Sequence, residues 1–268
     1  MRTLVFCGLL LMIPLGAAPL CSPKKTANAM PVGPKIKVLL QKNAESAFLE
    51  VKGPYRVIRK DTGSTLSLGR SEKHYMIHAL QDGLRWGEEY PDVYQITILP
   101  THPHTLLYVD GIQYKGTVSV YHVRNHKIAI VNEVAIEDFL KSTLAFDDQL
   151  PFDKEAMCAI AITARTEAYN RLLKSQSLNL PWSITAQEAG YSGVIQKCNH
   201  GVEKAVDWTR YMVLESSSQK DQIQSLDFSR SKAQELAHEG YDAQKILHFF
   251  FPKHKMAITL NENEVVYR

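Results

Sequence analysis

Between Asp153 and Lys174 the sequence is apolar around nearly the whole circumference of a helix, and few folds accommodate such a segment. Asp153 is a natural N-cap, and behind it Ala156, Met157, Ala159, Ile160, Ala161, Ile162 and Ala164 form an almost unbroken apolar run. A helix without a polar face has to be surrounded by protein. Arg165 interrupts the run, with Ala161 and Ile162 one turn behind it and Ala168 and Tyr169 one turn ahead. A buried guanidinium without a partner is strongly destabilising, so a carboxylate must face it. Asp147 and Asp148, in the acidic turn just before the helix, and Glu133 and Glu137 upstream are the nearest by chain order. Two outcomes stay open: a catalytic pair where a loop meets a central helix, or a structural ion pair that anchors the loop.

The first residues bear on the compartment. Met1-Arg2, an apolar run from Leu4 to Leu15 and the small residues Gly16-Ala17-Ala18 have the pattern of an export signal, too short to span a membrane. The expected division is a signal over residues 1–21, a polar linker over 22–34 and one folded domain over 35–268. Lipidation at Cys21 stands beside plain cleavage as a way of holding the exported chain at the cell envelope. A net charge of +3, with no lysine or arginine block interleaved with aromatics, excludes a nucleic-acid-binding class. Cys158 and Cys198 either pair or stay free and buried. Cys198-Asn199-His200 has no second ligand pair at zinc spacing, so neither a metal nor another cofactor is expected.

From Lys35 onward the periodicity is that of strands. Ile36, Val38 and Leu40 alternate, as do Phe48 to Val51 and Tyr55 to Ile58, and Gly53-Pro54 and Asp61-Thr62-Gly63 supply turns. Tyr75 to Trp86 fits either period. Strand character returns at Tyr94 to Leu99, Val118 to Val123 and Ile128 to Val131, and from Asn132 the period turns helical. Ser231 to His238 and Ala243 to Phe250 read as a closing helical hairpin broken at Gly240. The fold class is therefore α+β, with an antiparallel β-rich part (35–131) packed against a helical part (132–268) built around one long central helix.

Lined up in this order, the pieces resemble the stage II sporulation protein D family. Tyr114-Lys115-Gly116, Val131-Asn132-Glu133-Val134 and Ile136-Glu137-Asp138-Phe139-Leu140 are similar to its strand and signature. Glu155-Ala156-Met157-Cys158-Ala159 through Ala164-Arg165-Thr166 is similar to its alanine-arginine-threonine helix, the most specific of the matches. Gln187, Tyr191-Ser192-Gly193 and Thr209 follow its tyrosine-glycine loop, and Ala233 to Pro252 its closing segment. The resemblance implies an exported lytic transglycosylase acting on peptidoglycan glycan strands stripped of stem peptides, downstream of an N-acetylmuramoyl-L-alanine amidase. In that chemistry one acid protonates the oxygen between N-acetylmuramic acid and N-acetylglucosamine, and the muramyl 6-hydroxyl closes to a 1,6-anhydro ring. The second carboxylate that hydrolases use to activate water is not required.

Two departures qualify the implied site. Counting back eight positions from Glu155 puts Asp147 where the family has its catalytic glutamate, with Asp148 as a second candidate. An aspartate is shorter by one methylene, and a misplacement of roughly 1 Å can lower a rate on the order of 100-fold. The family's histidine-serine-threonine-serine-glycine-glycine loop has no counterpart between Val213 and Asp227, and the later turn reads Ser229-Arg230-Ser231-Lys232-Ala233. The expected catalytic set is Asp147, Asp148 and Arg165, and the expected substrate-binding set is Gln187, Tyr191, Gly193 and Ser229. The competing expectation is a protein of the same fold that binds denuded glycan without cutting it.

Overall fold

The computed structural model describes residues 33–145, 153–195, 200–216, 228–261 and 264–267, all within the unit formed by residues Pro31–Arg268. Its first part is a run of twelve strands: β1 (Lys35–Ala44), β2 (Ser46–Lys52), β3 (Tyr55–Arg59), β4 (Thr65–Gly69), β5 (Lys73–Leu80), β6 (Gly83–Trp86), β7 (Glu88–Pro91), β8 (Gln95–Pro100), β9 (Leu106–Val109), β10 (Ile112–Tyr114), β11 (Thr117–Val123) and β12 (Lys127–Ala135). Then come α1 (Ile136–Leu144), α2 (Lys154–Ser177), β13 (Ile184–Thr185), α3 (Ala186–Ala189), α4 (His200–Trp208), β14 (Met212–Ser216), α5 (Arg230–His238), α6 (Ala243–Phe250), β15 (His254–Asn261) and β16 (Glu264–Tyr267).

The period-2 patterning becomes two facing sheets. One has the order β13-β1-β12-β11-β8-β3-β4 and the other β10-β9-β2-β5-β6-β7. All pairings within them are antiparallel except β1 with β13, where Val38 and Leu39 lie beside Ile184 and Thr185. Ile36, Val38, Ile96, Ile98, Val118, Val120, Ile128 and Ile130 of the first sheet meet Leu49, Val51, Ile77, Leu84 and Leu107 of the second, all essentially sealed from solvent. Trp86 fills the same layer and donates its indole N–H to the Leu49 carbonyl at 3.0 Å, so the burial of its one polar atom costs little. The segment of mixed period, Tyr75 to Trp86, resolves into β5 and β6.

The absence of a polar face on α2 has a direct cause, since two cores share the helix. Met157, Cys158, Ile160, Ala161, Ala168, Tyr169 and Leu172 complete the sandwich core. Ala156, Ala159 and Ile162 face the other way, into a second cluster with Leu214, Ala233, Leu236, Ile246, Leu247 and Phe251. The alanines allow α5 and α6 to approach closely, which longer side chains would prevent. Asp153 caps the helix as expected, accepting from the Glu155 backbone N–H at 2.8 Å. Among the described residues no helix is long and apolar enough to cross a membrane.

The strand-to-helix change falls at Ile136 rather than at Asn132. Asn132 belongs to β12 because its side-chain amide donates to the Lys115 and Thr117 carbonyls, at 2.8 and 2.9 Å, tying it to β11. The chain after Pro252 also departs from the sequence reading: β15 returns antiparallel to β14, pairing Met212 with Ile258 and Ser216 with His254.

Candidate functional site

The partner of Arg165 is Glu137, in the first turn of α1. The contact is bidentate, with Nε to Oε1 at 2.9 Å and Nη2 to Oε2 at 2.8 Å, the geometry that gives the strongest ion pairs. The remaining donors are also engaged: Nη2 on the Val206 carbonyl at 3.1 Å, and Nη1 on the Met212 carbonyl at 3.2 Å and the Thr209 hydroxyl at 3.3 Å. Glu137 accepts a further bond from the Tyr211 backbone N–H. One ion pair thus joins α1, α2, the end of α4 and the start of β14, and Thr166 adds to it by accepting from the Leu214 N–H at 2.9 Å.

This corrects the expected role of Arg165. Its side chain is 2% exposed, so it cannot touch a substrate, and it acts as a positioning group. Glu137, which from the sequence is better explained by packing and capping, is the carboxylate it needs. Asp147 and Asp148 lie outside the described residues, as do Cys21 and Cys198; Cys158 is buried and unpaired.

Tyr191 is corrected in the same way. Its ring sits between Tyr114 and Phe139, with centroids at 5.9 and 5.5 Å, and its hydroxyl donates to Asn132 Oδ1 at 2.8 Å. Burial pushes the phenol far above the ordinary tyrosine range. A side chain so enclosed is a strut, not a platform for a sugar. It borders a cavity of only about 60 Å³, together with Lys115, Asp138 and Ser142, space for a water or two and not for a sugar ring. Gly193 is required by the backbone: φ is +77°, and a Cβ would lie 2.3 Å from the Gln113 carbonyl oxygen. Gln187 is exposed on α3, which a capping box of Thr185 and Glu188 opens. Ser229 caps α5 by accepting from the Lys232 N–H at 3.3 Å. That helix matters to the acidic turn, because Gln234 Oε1 accepts from the Asp153 N–H at 2.8 Å and fixes the point where the turn rejoins α2.

A groove large enough for a sugar lies at that same end of α2. A space of about 400 Å³ is lined by Lys154, Glu155, Cys158, Trp208, Asp242 and Gln244, among others. Trp208, the last residue of α4, keeps 54% of its surface exposed, and the Lys154 ammonium lies 4.7 Å from its ring centroid. Glu155 accepts from the Ala243 N–H at 3.0 Å, locking the opposite wall, and Asp242 accepts from the Lys245 N–H at 2.8 Å, which holds its carboxyl below the usual range. Burial and then Glu155 push the Cys158 thiol up, so it is a poor nucleophile. An exposed indole beside charged and amide side chains is suited to a sugar, whose C–H face stacks while its hydroxyls find polar partners. Trp208 is not among the residues expected from the sequence, although an aromatic next to the charged Asp207 at the end of a short helix, off the apolar Val202-Ala205-Val206 face, is a signal for it.

The fold is a two-sheet sandwich joined to a central helix by a buried arginine–glutamate clamp, with an aromatic-edged groove at the first turn of that helix. The family model described as SpoIID, stage II sporulation protein, matches residues 124–215, a stretch that holds Glu137, the acidic turn, Arg165, Tyr191 and Trp208. An uncharacterised protein of Chlamydia pneumoniae is 38% identical over 234 residues, covering 87% of this chain and 85% of the relative. Another, of Chlamydia muridarum, is 39% identical over 220 residues, with 81% and 75% covered. A third, of Brachyspira hyodysenteriae, is 30% identical over 167 residues, with 62% and 44% covered. No solved structure matches. The chain belongs to one family with these chlamydial proteins, and its match to the SpoIID model over residues 124–215 links it to cell-wall biology.

Proposed function

We propose that the protein is an exported lytic transglycosylase that cleaves peptide-stripped glycan strands at the bond between N-acetylmuramic acid and N-acetylglucosamine. The observation that carries this reading is the meeting, at the N-terminal end of α2, of the acidic turn's anchored end at Asp153 with the groove edged by Trp208 and Lys154. Asp147 or Asp148 serves as the acid and donates its proton to the glycosidic oxygen as the bond from that oxygen to the muramyl anomeric carbon breaks. The muramyl 6-hydroxyl then bonds to the same carbon and returns its proton to the carboxylate, so the acid is regenerated and no water is consumed. Trp208 stacks against a sugar ring, and the Glu137–Arg165 pair holds the frame without entering the chemistry. An amidase acting earlier would supply the denuded strands.

A second reading, glycan binding without cleavage, is favoured by one observation. The cation expected beside the acid is bound instead to Glu137, leaving Lys154 as the described cation nearest the turn in sequence. Mass spectrometry of peptide-free strands incubated with the chain separates the two. Anhydro-muramyl ends that disappear with Asp147→Asn or Asp148→Asn support cleavage. Co-sedimentation with strands and no such ends refutes it in favour of binding.

A further inference from the structure

At the other end of α2 lies a second opening, of about 310 Å³, between the outer face of the first sheet and the last helical turns. Its polar lining comes from Lys35 and Lys37 of β1, Glu133 of β12, and Gln176 and Asn179 at the helix end, with Leu172 and Leu180 as apolar walls. What distinguishes it is that these groups are not spent on one another. Lys37 and Glu133 are direct cross-strand neighbours, close enough for their side chains to meet, yet no ion pair joins them. Among the described residues the side chains of Lys35, Lys37, Glu133, Gln176 and Asn179 form no hydrogen bond or ion pair. Thr117, across from Glu133 on β11, likewise keeps its hydroxyl oxygen buried without a partner.

Lys35, Gln176 and Asn179 are exposed and Lys37 and Glu133 half-buried, so these groups are hydrated, uncommitted to one another, and free to exchange water for the polar atoms of a ligand. The excess charge is positive, with two lysines against one carboxylate. Lys60 adds to it from β3's end, its ammonium lowered from the ordinary range by burial first, with Glu133 raising it and Lys37 lowering it. The carbonyls at the helix end do not repel an anion here, since the N–H groups of Leu178, Asn179 and Leu180 already occupy those of Lys174, Gln176 and Ser175. Glu133 disfavours a phosphate dianion. It suits a ligand that carries one negative charge and also presents hydroxyl donors, while the two amides match acetamido and hydroxyl groups and the leucines match a sugar's C–H face.

We infer that this pocket is a binding site for a carboxylated amino sugar, with the lysines holding the carboxylate and Glu133, Gln176 and Asn179 holding hydroxyl and acetamido groups. The choice of a muramyl residue, with its lactyl carboxylate, as that sugar rests on the cell-wall reading above. The pocket lies on the last turns of a 24-residue helix whose first turn borders the Trp208 groove, so the two are separated by roughly 30 Å along the axis. It is therefore a holding site apart from the point of cleavage.

The test is calorimetric titration of the chain with a short muramyl-containing saccharide, a neutral N-acetylglucosamine oligomer of equal length, and a hexuronate oligomer. Lys37→Met and Gln176→Ala are read beside Trp208→Ala, and melting curves confirm the fold of each. A lysine-to-carboxylate contact removed from such a site lowers affinity about ten- to a hundredfold. The expected result is that loss for the muramyl saccharide with Lys37→Met, a smaller loss with Gln176→Ala, weak binding of the neutral oligomer, and a Lys37-dependent part that Trp208→Ala leaves unchanged. Equal binding by the parent and both pocket variants, or equal binding of the neutral oligomer, overturns the site. Hexuronate bound as tightly as the muramyl saccharide, and equally dependent on Lys37, supports the carboxylate chemistry and overturns the muramyl assignment. Anhydro-product formation is followed on the same samples. Lys37-dependent binding without products refutes cleavage and leaves the pocket standing, and products without it do the reverse.

Discussion

The Glu137–Arg165 clamp offers the sharpest test of how this fold is held. Replacing Glu137 with Gln keeps the side chain's shape and removes its charge, stranding a guanidinium that is 2% exposed and whose strongest acceptors are the two carboxylate oxygens at 2.8 and 2.9 Å. Breaking a buried pair from one side costs about 3–5 kcal/mol. In a chain of this size that lowers the melting temperature by roughly 6–20 °C. Arg165→Leu strands the carboxylate, which keeps only the Tyr211 N–H, and frees the carbonyls of Val206 and Met212, so its cost is at least as large. The decisive quantity is the coupling. In the double variant, Glu137→Gln with Arg165→Leu, neither charge is left alone, and it is more stable than the sum of the single losses predicts by about 2 kcal/mol or more. Urea unfolding of the four chains, followed by far-ultraviolet circular dichroism, gives the cycle. Additivity within about 0.5 kcal/mol, or a Glu137→Gln loss below about 1 kcal/mol, would show that water reaches the pair and that the sealed-clamp reasoning is wrong.

Three further outcomes are expected. Tyr191→Phe leaves Asn132 Oδ1 without its donor at a fully buried position and costs about 1–3 kcal/mol in thermal or urea unfolding; an unchanged midpoint would mean that a water takes the hydroxyl's place. Trp208→Ala removes an exposed indole, so the melting temperature stays put while affinity for denuded strands, measured by co-sedimentation, falls roughly five- to thirtyfold; undiminished binding would remove the groove from the site. Burial pushes the phenols of Tyr55 and Tyr114 up to about 12. The unfolded chain ionises these groups near 10, so their contribution is fully present below about pH 10 and is lost as pH rises from there through 12. Stability that is flat from pH 8 to 10 and then falls, with tyrosinate absorbance appearing only on unfolding, is the expected profile. Tyrosinate absorbance from the folded chain near pH 10 at these two positions, resolved with Phe variants, would contradict it.

The parts of this structure legible in the sequence are those set by local pattern. Alternation in β1, β8, β11 and β12 declared strands, Asp153 declared a helix start, and Gly240 divided the two closing helices because its φ of +87° stops one before the other begins. The apolar circumference of α2 declared its burial, and charge balance declared that Arg165 had a carboxylate. Which carboxylate was not legible. Glu137 lies 28 residues away, and its approach depends on how α1 packs on α2, a tertiary fact without a sequence period. Asn132 misled for a related reason: its hydrogen bonds to Lys115 and Thr117 hold it in a strand, whereas asparagine by itself favours turns and helix caps. Tyr191 and Gly193 carry the same lesson for function. Both occupy positions that a binding loop would use, yet one is a strut in the core and the other a backbone contact that tolerates no side chain.

If the chain cleaves glycan as proposed, the clamp bears on that activity from a distance. Residues 146–152 leave α1 after Ala145 and rejoin the described chain at Asp153. The first of these ends is fixed by the helix whose opening turn Arg165 grips through Glu137; the second is fixed by Gln234 and by the cap to Glu155. On the proposed cleavage reading the acid lies between these two ends, so its placement depends on how firmly each of them is held. On that reading an arginine sealed from solvent matters to product formation as part of the frame that fixes the first end. Arg165→Lys discriminates this role from mere stability. A lysine keeps a charge for Glu137 but not the planar fork that also reaches Val206, Thr209 and Met212. The variant, assayed well below its melting temperature, should bind denuded strands as the parent does and yield fewer anhydro ends. Full product yield from a chain with that fork removed would show that the turn holds its acid unaided.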